Sequence, residues 1–169
     1  MRLIHLPTAA TVLLDIAAWL MIHLGVALAA TRMPVSRFRP ETPLFRPRSW
    51  ERAGSVYAEY CRIRDWKQHL PDGAPLLGEH GFPKKHLAES GSAYLASFAR
   101  ETCRAELAHW VILSFAPLFF LWNRPGIGLL MIVYAVIENL PLIIAQRYNR
   151  FRLLRLLAAR EQRDERRDH

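Results

Sequence analysis

The sequence predicts an all-α integral membrane protein with three transmembrane helices: one N-terminal span and a C-terminal helical hairpin, joined by a cytoplasmic, interfacial amphipathic segment. Three observations lead there. Half of the 169 residues are hydrophobic, and they are gathered in blocks instead of spread at a 3.6-residue period. Each block approaches the roughly 20 residues that a helix needs to cross hydrocarbon. The basic residues avoid the blocks and collect at particular ends of them. One integral membrane domain over residues 1–169 is the expectation.

The first block covers about residues 8–30. A secretory signal peptide is the competing reading, because "ALA" at residues 27–29 resembles a small-residue cleavage site. Only Arg2 precedes the block, however, and Asp15 and His23 interrupt it, so it reads as a span. The second block, about 107–122, is the shortest. Its pairing with the third, about 127–145, across the breaker "NRPG" makes a helical hairpin.

Between the first two spans, "MPVSRFRPETPLFRPRS" (33–49) holds four prolines among arginines and should lie extended along the membrane surface. In "WERAGSVYAEYCRIRDWKQHL" (50–70), Val56, Tyr60, Ile63 and Trp66 recur at helical spacing with Arg62, Arg64 and Lys67 beside them. That pattern predicts an interfacial amphipathic helix that docks on the membrane, with a wall of a substrate groove as the functional alternative, ended by the turn-rich "LPDGAPLLGEHGFP" (70–83). From about Ser92 a new helical pattern (Leu95, Phe98, Thr102) runs into the second span.

Charge orients these elements. Of 23 Lys and Arg residues, 13 lie between Thr31 and Arg104 and eight from Arg147 onward; Arg2 and Arg124 are the others. By the positive-inside rule the segment 31–104 and the tail 147–169 are cytoplasmic in a multi-pass protein of the cell membrane, with the N-terminus outside. The net charge of +8 then reflects topology and anionic lipid, not nucleic acid. Cys61 and Cys103 fall on the reducing side, and two cysteines so far apart imply neither a disulfide nor a zinc site.

The ionisable residues of "ETCRAELAHW" (101–110) stand directly before an uncharged run. Antiparallel helices joined by a short turn bring residues equidistant from it to one depth. His109 should come level with about Leu140, Glu106 with Ile143 and Arg104 with Ala145. Glu101, Arg104, Glu106 and His109 thus face Glu138, Asn139, Gln146, Arg147, Asn149 and Arg150. Ionisable groups in spans are costly and usually face a protein interior or wet cavity, although arginines near a helix end also snorkel to headgroups. Asp15 and His23 stay open between the two uses. His5, His80, His86 and His169 read as ordinary exposed histidines. Glu106 and His109 lie about 60° apart on the helix, so both can address one atom. His109 can act as a general base that Glu106 orients, with Asn139 or Arg104 stabilising an oxyanion. Alternatively Glu106 and His109 are metal ligands, but a single E-x-x-H on a membrane helix supplies few donors.

"ATRMP" (30–34), "WK…LPDGA" (66–74), "ETCRAELAHW" and "NLPLIIAQRYNRFRL" (139–153) together resemble, in order and position, the glycosyl-4,4'-diaponeurosporenoate acyltransferase family. The resemblance covers nearly the whole chain. It implies a small membrane enzyme that completes a staphyloxanthin-type carotenoid by esterifying a sugar hydroxyl with a fatty acyl chain, the acceptor here being a glycosylated carotenoid or a related glycolipid. The implied donor is an acyl thioester, acyl-CoA or an acyl carrier protein, with no bound cofactor; oligomeric state is open. Guanidinium groups bind phosphate oxygens bidentately, so Arg147, Arg150 and Arg152, with Glu101, Gln146 and Asn149, are the expected substrate-binding residues. A non-catalytic membrane subunit that holds carotenoid or lipid is the reading from another class.

Overall fold

The computed structural model describes residues 4–70 and 91–167. Among them the regular elements are helices, with no strand. Three helices are long and apolar enough to cross a membrane: Thr8–Arg32, Ser92–Leu121 and Pro125–Arg167. Along the first and third, Leu13, Leu20, Leu24, Leu130, Val133 and Ile137 stay exposed, as expected where the surrounding solvent is lipid.

The chain divides into two compact units, Met1–Met33 with Glu106–Ile143 and Pro34–Ala105 with Ile144–His169. Helix α1 (Thr8–Arg32) belongs to the first, while α4 (Ser92–Ser114) and α5 (Pro125–Arg167) contribute to both.

In the first unit, α4 stops at Ser114 because Pro117 has no N–H to continue the ladder. A 3₁₀ turn, Ala116–Leu121, follows. Helix α5 then opens on Pro125, whose missing donor costs nothing at a first helical position. The connection is tight: a Cβ on Gly128 would lie 2.6 Å from Phe120 Cδ1, so only glycine fits. The core joins Ala18 and Trp19 of α1 to Ile112 of α4, Ala116 and Phe119 of the turn and Ala135 of α5. Trp19 stacks on Phe119 at 4.5 Å between ring centroids. Asp15, left open by the sequence, is a structural acceptor here. It is buried and receives Trp122 Nε1 at 2.8 Å and Asn123 Nδ2 at 2.7 Å, tying α1 to the hairpin turn.

The second unit departs from the expected extended strip and amphipathic helix. Residues 33–49 fold through a 3₁₀ turn, Val35–Arg37, and turns in which Phe45 N and Arg46 N reach Thr42 O at 2.9 and 2.8 Å. The prolines do prevent a helix, but Phe38 and Phe45 supply apolar area worth burying, and both are buried. The segment 50–70 is a 3₁₀ turn (Ser49–Gly54), two short helices, α2 (Ser55–Glu59) and α3 (Ile63–Trp66), and a 3₁₀ turn (Lys67–His69). Left-handed backbone at Arg52 (φ 47°), Ala53 (54°), Gly54 (90°) and Arg62 (47°) breaks the helix twice. The predicted stripe is therefore dispersed, with Ile63 fully buried and Tyr60 exposed. The residues 71–83 of the expected turn-rich stretch, with His80 and His86, lie outside the described residues, as does His169.

Candidate active site

In the first unit, antiparallel α4 and α5 bring His109 beside Asn139, within one residue of the level the turn predicts. His109 Nδ1 lies 3.0 Å from Asn139 Oδ1. Asn139 Nδ2 donates to the Ala135 carbonyl at 2.9 Å, so its oxygen is the end that meets the ring. An amide oxygen only accepts, hence Nδ1 carries the proton and the lone pair of the neutral imidazole resides on Nε2. Among the described residues no hydrogen bond engages Nε2. Asn139 is 1% exposed and occupied at both ends of its amide, a holder of the ring more than an oxyanion donor.

Glu106 is fully buried on the same helix and accepts from the Trp110 indole at 3.2 Å. The partner at His109 Nδ1 is Asn139, in the position the sequence suggested for Glu106. His23 of α1 points Nε2 at Glu138 Oε2, 3.5 Å away, with Nδ1 2.8 Å from the Trp19 carbonyl. Nδ1–H donates to that carbonyl, which leaves Nε2 facing the Glu138 carboxyl. The sequence marked each of these span residues separately; their pairing depends on the rotation of α1, which a single sequence does not encode.

The second unit holds the remaining expected site residues. Arg147 does not stand open to a ligand. Its Nε meets Glu51 Oε1 at 2.7 Å and its Nη2 meets Oε2 at 3.2 Å, while Nη1 and Nη2 also donate to the Leu44 and Arg46 carbonyls at 3.2 and 3.4 Å. Glu51, fully buried, further accepts from Tyr57 Oη and from Arg48 N at 2.6 Å. Burial pushes the Glu51 carboxyl up, but the hydrogen bonds from Arg147, Tyr57 and Arg48 and the guanidinium charge together outweigh it, and the net shift is downward. Burial and the neighbouring Glu51 carboxylate raise the Tyr57 phenol well above its ordinary value.

Arg150 is likewise interior, 2% exposed, with Nη1 3.4 Å from Thr102 Oγ1 and 3.5 Å from Cys103 Sγ, and its guanidinium 5.6 Å from the centre of the Phe45 ring. Arg104 holds Glu101 at 2.7 Å. Asn149 accepts from Lys67 Nζ, whose ammonium also lies over the Tyr148 ring. Gln146 is half-buried and Arg152 exposed on α5. Nothing in the local sequence flagged Glu51, because an acid among arginines looks like a solvated one. Among the described residues no three His, Cys, Asp or Glu side chains converge as a metal-binding group.

The family model described as glycosyl-4,4'-diaponeurosporenoate acyltransferase matches residues 41–159. A protein of that name from Staphylococcus aureus (strain bovine RF122 / ET3-1) is 35% identical over 151 residues, covering 89% of this chain and 90% of that protein. Its namesake from strain USA300 is 34% identical over the same shares. No solved structure matches. With most of its length inside the family model and both relatives aligned almost end to end, the chain belongs to the glycosyl-4,4'-diaponeurosporenoate acyltransferase family.

Proposed function

We propose that this acyltransferase moves a fatty acyl chain from an acyl thioester to a sugar hydroxyl of a glycosylated carotenoid, with His109 as the general base. The observation that carries the assignment is the imidazole itself. Its Nδ1–H is fixed on Asn139, leaving the Nε2 lone pair available on a helix apolar enough to cross a membrane. The relatives' names supply the acceptor class. His109 Nε2 takes the hydroxyl proton as the oxygen attacks the thioester carbonyl. The new C–O bond forms, the C–S bond breaks, and the imidazolium returns the proton to the departing thiolate. Asn139 keeps the ring in the productive tautomer throughout.

Extracted lipids from cells that make the glycosylated carotenoid test this reading directly. Mass spectrometry should find the acylated glycolipid only where the chain is expressed. Unacylated glycoside in both cultures would remove the activity, and pigment retained by the protein without acylation would favour the carrier reading.

The same proposal sets the reaction at the cytoplasmic face of the cell membrane, supported by the arginines of segment 31–104 and of the tail. A reporter fused after His169 should be cytoplasmic and one at the N-terminus external. Both reporters on one side would refute a three-span chain.

A further inference from the structure

We propose that the second unit carries a phosphate-binding cavity for the acyl donor, formed by Arg64, Arg155, Tyr148 and Ser55; this rests on the acyl-transfer reading above. The cavity measures about 290 Å³ and is lined by Gly54, Ser55, Ala58, Glu59, Arg64, Tyr148 and Arg155. Of the arginines expected to bind substrate, Arg147 and Arg150 face inward to protein partners and Arg152 is exposed, while five lining residues fall in the stretch 50–70.

Charge and hydrogen-bonding capacity define the ligand. Arg64 donates only Nε to the Tyr148 hydroxyl, at 3.3 Å, which leaves the terminal edge of its guanidinium for another acceptor. Among the described residues Arg155 has no ion-pair partner, and Glu59 on the same lining neutralises neither arginine. Two guanidiniums against one carboxylate leave the cavity positive. The Ser55 and Tyr148 hydroxyls add neutral donors. Forked cations with hydroxyl donors are the chemistry that recognises phosphate oxygens.

A second observation is independent of charge. Among the described residues, the non-glycine residues with positive φ, Arg52, Ala53 and Arg62, lie in the short stretches that lead into Ser55 and Arg64. Such backbone persists only where its surroundings hold it, and it collects at ligand-binding segments. Gly54 completes the wall at φ 90°, a backbone conformation that favours glycine, and a Cβ there would sit a tight 3.0 Å from Phe151 Cβ.

Size and chemistry then select among phosphate sources. The cavity is at the small end of ligand sites, suited to a headgroup and not to a long acyl chain. Acyl thioesters are carried on coenzyme A or on a carrier protein's pantetheine arm, and both put phosphate at the end remote from the thioester. The donor would be held here by that end.

The test uses the full chain in neutral detergent with coenzyme A as probe, read by calorimetry. Arg64→Gln and Arg155→Gln should each weaken binding roughly ten- to a hundredfold, the usual loss when a charged hydrogen bond goes. Pantetheine, which lacks phosphate, should bind all three proteins alike. Both side chains are exposed, so folding is not at stake, and Ser55→Ala supplies a milder variant with a smaller loss. Wild-type affinity for coenzyme A in the double arginine variant would overturn the proposal. So would an arginine-dependent association with phosphatidylglycerol nanodiscs without any for coenzyme A, since the occupant would then be a lipid headgroup. Acyl transfer with an unchanged KM for acyl-CoA in both variants would sink the cavity and leave the enzyme. Arginine-dependent coenzyme A binding without acyl transfer to any glycoside would do the reverse.

Discussion

Alanine at His109 should lower acyl-transfer turnover roughly 10²- to 10⁴-fold, the usual contribution of general acid–base catalysis, while the protein still inserts and binds pigment. The expectation follows from the tautomer: Asn139 Oδ1 at 3.0 Å holds the Nδ1 proton, so the side chain offers one basic nitrogen in a defined direction. Asn139→Ala should cost less, because the ring remains but its orientation loosens. Asn139→Asp should move the pH–rate profile toward higher pH, since a carboxylate beside Nδ1 favours the imidazolium and delays its deprotonation. Glu106→Gln keeps an acceptor for the Trp110 indole and should change the rate least. Steady-state assays on purified protein decide. Near-normal turnover in His109→Ala would end the general-base assignment. Activity that falls with chelator and returns with a divalent ion would transfer Glu106 and His109 to metal binding.

How far the sequence could be read depended on the distance over which each residue finds its partner. Apolar blocks are local signals, and they located the helices that can cross a membrane. The hairpin register was legible too, because a short turn fixes depth on both arms. It brought His109 to about Leu140 on paper and to Asn139 in the structure. The segment 33–70 was not legible, because its conformation is decided by burial. Phe38, Phe45 and Ile63 turn inward, and left-handed backbone at Arg52, Ala53 and Arg62 overrides a periodicity that local propensity supported. The arginines of α5 show the same limit from the other side. A guanidinium near a helix end has one sequence appearance whether it meets phosphate, headgroup or a buried carboxylate 96 positions away.

That last pair yields the largest expected effect on stability. Arg147→Ala should destabilise the protein by about 3–5 kcal/mol, the usual consequence of removing one member of a buried ion pair. The residual Glu51 carboxylate would be fully buried, without its guanidinium, and two loop carbonyls at Leu44 and Arg46 would lose a donor. Against a total stability of about 5–15 kcal/mol, that loss should unfold much of the second unit at growth temperature. Arg147→Lys should recover little, since one ammonium cannot span both carboxylate oxygens and the carbonyls. A Glu51→Gln/Arg147→Met double variant should be more stable than Arg147→Ala alone, because no unpaired charge stays inside. The pH dependence has a definite sign. The Glu51 carboxyl is lowered in the folded chain, so its stabilisation is present above the ordinary carboxylate pKa and fades as pH falls through the folded value. The wild type should therefore lose this increment in acid, and the double variant should lack that part of the slope. Thermal melts in detergent across that range, with hydrogen exchange at residues 48–57, measure both effects. If Arg147→Ala melts with the wild type, the ion pair is incidental and the inward-facing arginine regains its place among the ligand-binding candidates.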